Sequence, residues 1–163
     1  YFHFPNLLAQ TPSYYHYTSS DGLASSTVFE IIQDRDGYIW FATLNGLSRF
    51  DGKNFTTFRT KDGLNSNSII SLVEGKDGEL YIGNFEKGVN VFRNGQIENY
   101  CSEINGKSFA LSYLMLVPSG KNEQKILAYN RRGNIKLISE KKSAELITNV
   151  INTFPVLINK LEI

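Results

Sequence analysis

The sequence is poor in the residues that most compact reactive sites need. Its 163 residues hold one Cys, one Met, one Trp, four Pro and two His. Cys101 can close no disulfide within the chain and has no Cys or His near it at metal-ligand spacing. It reads as a small, half-buried apolar residue, and one Cys does not decide the redox compartment. His3 and His16 lie among aromatics with no carboxylate or Cys partner in a short motif, so packing or surface roles are expected. Charge of one sign is also missing. Lys+Arg of 17 against Asp+Glu of 16 leaves +1, too little to draw in nucleic acid or anionic lipid. The pairs Arg131-Arg132 and Lys141-Lys142 flank turn positions and read as solvated loop charge. No apolar run approaches the roughly 20 residues of a membrane-crossing helix, so this segment is not expected to insert in a bilayer. The start at Tyr1 rather than Met is expected of a mature or trimmed N-terminus, with any signal peptide or anchor outside it.

What the sequence has is repetition. Residues 21 to 58 return in altered form from Asp62 to Tyr100. Asp21-Gly22-Leu23 becomes Asp62-Gly63-Leu64, Asp36-Gly37 becomes Asp77-Gly78, and Ile39-Trp40-Phe41 becomes Leu80-Tyr81-Ile82. Gly46-Leu47 becomes Gly88-Val89 and Phe50 becomes Phe92; the offset is 41 residues, then 42 after an extra residue near Lys87. Short apolar runs split by Gly turns at this period are the signature of a β-propeller blade, and 13% aromatic content suits strands. The spacing predicts an all-β propeller, a partial ring of about three four-stranded blades with an N-terminal closing strand.

The divisions follow. Residues 1–13 are an extended segment. Residues 14–20 are an orphan outer strand, because Tyr14 and Tyr17 stand before Asp21 as Phe55 and Phe58 stand before Asp62. Residues 21–60 form the first blade, with an inner strand from Val28 to Gln33 covered on both faces. Residues 61–102 form the second and 103–148 a degenerate third. Residues 149–163 start a further blade, with Phe154 to Ile158 as its first strand, or a truncated end. The spacing of Ile147, Val150, Ile151 and Phe154 also fits a short helix over 143–153. Such a count suits a segment of a longer propeller, or a small closed or self-associating ring, including a homodimer.

The order Asp-Gly-Leu, small polar pair, apolar strand, Asp-Gly, aromatic strand, Gly-Leu and Arg-Phe-Asp-Gly resembles the two-component regulator propeller repeat. The residues that carry it are Asp21, Gly22, Leu23, Ser25, Asp36, Gly37, Ile39, Trp40, Gly46, Leu47, Phe50, Asp51 and Gly52. The likeness is strong over 14–58, good over 59–100 and faint beyond. In the second repeat Tyr81 replaces the Trp, Asn84 stands for a usual Thr, and Arg93-Asn94-Gly95 departs from Asp-Gly. The resemblance implies the periplasmic sensor part of a Bacteroides-type hybrid two-component receptor. Such receptors continue through further receptor domains to a membrane helix and a histidine kinase, and many respond to oligosaccharides. No kinase motif stands in this sequence, so no enzymatic activity is expected of it.

Each candidate site residue has a structural reading beside the chemical one. Trp40 could stack on a sugar, but its recurrence as Tyr81 in mid-strand fits packing between blades. Asp34 and Asp36 flank a turn, and Asp77-Gly78 repeats that turn, which argues against a metal or glycosidase pair. Asp21 and Asp62 read as loop residues bonded to nearby amides. Ser25, Ser26, Ser66 and Ser68 lie in blade-connecting loops with no nucleophile motif around them. No catalytic residue, metal or cofactor is expected. Ligand-binding residues remain unknown, with the loops Thr18 to Thr27 and Arg59 to Ser68 as the expected contributors.

Overall fold

The computed structural model describes residues 14–85 and 87–101, then the strand segments 103–104, 107–108, 113–118, 124–129, 135–139 and 145–147. Residues 1–13, His3, the turn at Arg131 to Asn134, Lys141-Lys142 and residues 148–163 lie outside them. The described residues are all-β apart from two short 3₁₀ turns. The first sheet holds β1 (Val28–Gln33), β2 (Ile39–Thr43), β3 (Gly46–Phe50) and β4 (Phe55–Phe58). The second holds β5 (Ile69–Glu74), β6 (Leu80–Asn84), β7 (Gly88–Arg93) and β8 (Gln96–Cys101). A two-stranded hairpin, β9 (Glu103–Ile104) and β10 (Lys107–Ser108), precedes the third sheet. That sheet holds β11 (Tyr113–Pro118), β12 (Gln124–Tyr129), β13 (Ile135–Ser139) and β14 (Glu145–Ile147). Each four-stranded sheet is an antiparallel meander in sequence order, the form of a propeller blade. Residues 145–147 are strand, so the helical alternative does not hold there.

Strand alternation gives each blade two apolar faces, and the blades stack through them. Trp40, Ala42 and Leu47 of the first blade pack on Leu64, Ile69, Leu72, Leu80 and Ile82 of the second. On the other face of the second blade, Tyr81, Val89 and Val91 pack on Leu114, Ile126 and Ala128 of the third. Neighbouring residues Leu80, Tyr81 and Ile82 therefore serve two different cores. Burying side chains of this size contributes roughly 1.5–3 kcal/mol each.

The inner strands β1, β5 and β11 lie side by side, and each presents an edge that no strand of its own sheet covers. A repeated side-chain bond satisfies that edge. The Leu72 amide of β5 donates to Glu30 Oε2 of β1 at 2.6 Å. One repeat later, the Leu114 amide of β11 donates to Ser71 Oγ of β5 at 3.1 Å. Glu30 and Ser71 are equivalent, and each directly follows a bulge, at Phe29 and at Ile70. The bulge turns the next side chain out along the strand toward the following blade.

The inner strand β1 departs from expectation. It is covered on one face only, and Phe29 and Ile31 are exposed, because no described blade precedes the first. Residues 14–17 pair with no described strand.

Asp-Gly-Leu is a three-part joint between blades. The Thr18 amide donates to Asp21 Oδ2 at 2.7 Å, and the Arg59 amide to Asp62 Oδ2 at 2.9 Å, each closing a 3₁₀ turn. Gly22 and Gly63 end these turns at φ of 103° and 107°, and Leu23 and Leu64 then enter the interior. A Cβ on Gly63 would lie 2.8 Å from the Ile97 carbonyl oxygen. Gly63→Ala is expected to cost well over the ~1–2 kcal/mol of a left-handed Ala alone. Gly52→Ala, at φ 94° with open space around it, is the comparison that isolates that backbone cost. Urea denaturation of both variants checks the difference.

Candidate functional site

The connecting loops 18–27 and 59–68 and the β2–β3 and β6–β7 turns gather at one end of the ring. Backbone bonds tie them: the Leu44 amide to the Thr27 carbonyl at 3.1 Å, Phe85 to Ser68 at 3.0 Å, and Gly46 to Asn67 at 2.7 Å. Beneath this surface sits a buried polar floor. In the first blade Ser48 Oγ accepts from the Ala24 amide at 2.9 Å, and Thr43 Oγ1 donates to the Gly46 carbonyl at 2.7 Å. In the second blade Asn90 Oδ1 accepts from the Asn65 amide at 2.8 Å, and Asn84 Nδ2 donates to the Gly88 carbonyl at 3.3 Å. Asn84 Nδ2 also reaches Asn90 Oδ1 at 2.9 Å, so Asn84 and Asn90 replace Thr43 and Ser48 as a matched pair. The departure from Thr at Asn84 therefore keeps the joint.

The surface above this floor is mixed. Leu44 and Phe85, at equivalent turn positions, are 52% and 49% exposed. Around them stand Ser19, Ser20, Ser26, Thr27 and Asn45, all exposed. Asp21 is held below the usual carboxylate range, first by the Thr18 amide and then by its hydroxyl, so it stays charged. Ser25 Oγ accepts from the Thr27 amide at 3.1 Å, and Ser66 Oγ from Ser68 at 3.2 Å, which is loop-forming work. His16 is exposed on the approach to the first loop. In the sequence these turns are read only for their glycines, which does not anticipate the exposed Leu44 and Phe85. The available signal was a large apolar residue at one turn position in both repeats.

The remaining candidates lie at the opposite end, and they are structural. Trp40 is 1% exposed, stacked on Phe58 at 5.9 Å and edge-on to Phe92 at 5.0 Å, so it offers no face to a ligand. Its indole Nε1 donates to Asp34 Oδ2 at 2.6 Å. Asp34 Oδ1 accepts from the amides of Asp36 and Tyr38 at 3.1 and 2.9 Å. In the second blade the carboxylate comes from another position. Gly75 stands where Asp34 does, and Glu79 Oε1 accepts from the Tyr81 hydroxyl at 3.1 Å. Glu79 Oε2 accepts from the Asp77 amide at 3.1 Å. A Cβ on Gly75 would collide with the Glu79 carboxylate, so the glycine is the counterpart of the moved acid. Burial, then the Glu79 charge, pushes the Tyr81 phenol up out of its ordinary range.

Arg35 joins the two turns across the blades. Its Nε donates to Glu74 Oε1 at 2.8 Å, and its Nη2 to the Gly75 and Lys76 carbonyls at 2.9 and 2.6 Å. Asp51 is held low by the amides of Asn54 and Lys53, closing the β3–β4 turn. Among the described residues no three of His, Cys, Asp and Glu gather as a metal site would need. The loop end thus carries a mixed apolar and hydroxyl-bearing surface, while Asp34, Asp51, Glu74 and Glu79 at the other end are engaged in structure.

Two outcomes follow. Asp34→Ala is expected to cost about 1–3 kcal/mol by stranding the indole N–H. It should also shift the emission of the single Trp, while Asp34→Asn retains most of both; urea titration with fluorescence checks this. Because the folded phenol of Tyr81 titrates above the unfolded value of about 10, its contribution is full below that pH and is lost above it. Tyr81→Phe should flatten the alkaline fall in melting temperature above about pH 10.

Comparison with known proteins agrees with this geometry. Residues 22–45 and 63–86 match the two component regulator propeller family. A 43-residue stretch, 26% of this chain, is 44% identical to Histidine kinase P4 of Formosa agariphila, and covers 3% of that protein. Two extracellular domains from B. thetaiotaomicron, of proteins assigned as hybrid two-component systems, are similar in structure. BT3049 gives a TM-score of 0.54 at 17% identity over 85% of this chain, and BT4673 gives 0.58 at 21% over 74%. The chain spans only 18% and 16% of those structures. Residues 22–45 and 63–86 are thus similar to two-component regulator propeller repeats, and they lie in an all-β architecture of propeller blades.

Proposed function

We propose that the chain is an extracytoplasmic sensing segment of a hybrid two-component receptor, periplasmic in its cell, that takes a carbohydrate ligand. It passes the signal to a kinase outside these residues. The observation that carries this reading is the pair of regulator propeller repeats, with extracellular receptor domains among their structural relatives.

The loop end suits such a ligand better than the other end does. A sugar presents an apolar C–H face and a rim of hydroxyls, and Phe85 and Leu44 stand exposed among Ser and Thr hydroxyls there. At the opposite end the carboxylates of Asp34, Asp51, Glu74 and Glu79 are already engaged in turns and across blades, which leaves them little to offer. Among the described residues no acid pair set for glycoside cleavage stands at the loop end, and the role proposed is binding without turnover.

A thermal-shift panel of neutral and acidic oligosaccharides tests the proposal. A ligand is expected to raise the melting temperature with the logarithm of its concentration over Kd. Phe85→Ser should abolish the shift, and Asp36→Ala at the opposite end should leave it intact. A panel without any shift at ~10 mM would favour a protein-interaction propeller, since stabilisation is measurable even for a ligand of ~1 mM Kd.

A further inference from the structure

We propose that Asn94 is a self-modifying site, where the backbone nitrogen of Gly95 attacks the Asn94 side chain and converts it to aspartate and isoaspartate. Asn-Gly occurs three times, at residues 45, 94 and 105. The third pair lies outside the described residues. Glycine after asparagine brings a backbone nitrogen that no side chain shields. The fold treats the two described pairs differently.

In the first pair the nucleophile is held. The Gly46 amide donates to the Asn67 carbonyl at 2.7 Å, across to the loop that enters the second blade. Gly46 is buried, and a Cβ there would lie 2.8 Å from the Phe58 carbonyl oxygen. The Asn45 amide is itself engaged by Thr43 Oγ1 at 3.3 Å. The peptide between Asn45 and Gly46 therefore has little room to turn toward the Asn45 side chain.

In the second pair the nucleophile is released, and the departure of Arg93-Asn94-Gly95 from the repeat explains it. Asn94 and Gly95 are the two-residue turn between β7 and β8, closed by the Arg93–Gln96 pair. The equivalent turn of the first blade is Gly52-Lys53, and Asn94 takes the left-handed position of Gly52, at φ 52° against 94°. In the first blade Asp51 Oδ1 grips this turn, accepting from the Lys53 and Asn54 amides at 2.8 and 2.6 Å. Arg93 stands where Asp51 does and has no side-chain oxygen to offer. The Gly95 amide has thus lost the acceptor that holds its equivalent, Lys53. Residues 93–96 are exposed, and nothing lies within 4 Å of a Cβ on Gly95. The reacting nitrogen, the side-chain amide and solvent meet in a turn without the aspartate grip.

The chemistry needs only water and a solvent base. The base takes the Gly95 amide proton as the nitrogen bonds to Asn94 Cγ; the Cγ–Nδ2 bond breaks, and ammonia leaves behind a cyclic imide. Water then opens one of the two carbonyl–nitrogen bonds of the ring. Opening at Cγ gives aspartate. Opening at the main-chain carbonyl gives isoaspartate, which adds one carbon to the path of a two-residue turn. Either product adds one negative charge and about 1 Da.

Peptide mapping by mass spectrometry, on the whole chain held at mildly alkaline pH, tests this. In the folded chain Asn94 is expected to gain the mass at least about fivefold faster than Asn45, and in urea the two should react alike. Arg93→Asp restores the first-blade grip and should slow Asn94 by about threefold or more, with Asn45 unchanged. The reciprocal graft keeps the proposal open to refutation should that variant fold poorly. Gly52→Asn with Lys53→Gly and Asp51→Arg should create a second fast site, and the same pair with Asp51 kept should not. Equal rates in the folded chain, a difference that persists in urea, or grafts that react alike with and without Asp51 would each overturn the proposal.

Discussion

A four-stranded blade cannot satisfy its own surface. It has two apolar faces and an inner edge of backbone groups, and only an adjacent blade covers both. The second blade shows the complete solution. Leu80 and Ile82 face one neighbour, Tyr81 faces the other, and the Leu72 amide closes on Glu30 from the preceding blade. The turns, the glycines and the carboxylates all serve this stacking. The first blade meets the same requirement on one side only, which is why its outer face stands out.

The repeat motif is accordingly a device for shape. Asp21 and Asp62 close the linking turns, Gly22 and Gly63 reverse the chain, and Leu23 and Leu64 anchor it. Where one part changes, its partner changes with it. The acid beneath the aromatic moves from Asp34 to Glu79, and Gly75 makes the room; Thr43 with Ser48 becomes Asn84 with Asn90. With the motif so occupied, the turn residues Leu44 and Phe85 stand exposed outside it.

Much of the frame was legible because strand period and glycine turns are local signals. The strands of the first two repeats lie where alternation and the Asp-Gly and Asn-Gly turns place them, within about two residues. Trp40 was legible as a packing residue from its recurrence as Tyr81. What stayed hidden depends on contacts across the repeat. The Glu30 and Ser71 bonds join residues about 40 positions apart, and no local pattern announces them. The half-covered state of β1 was misjudged for a related reason, since an apolar run looks the same whether or not a neighbour covers it. The exposure of Leu44 and Phe85 was not legible because an exposed apolar residue in a turn has no periodicity to flag it.

The most direct test of this account is hydrogen exchange at the Leu72 amide, which faces away from its own sheet and is held by a side chain of the preceding blade. Stacking as the organising constraint implies strong protection there, comparable to the buried centre of β6. Glu30→Ala should deprotect Leu72 and leave Leu114, held by Ser71, unchanged. If Leu72 instead exchanged at the rate of an open sheet edge in the unaltered chain, the blades would stand independently and the account would be wrong.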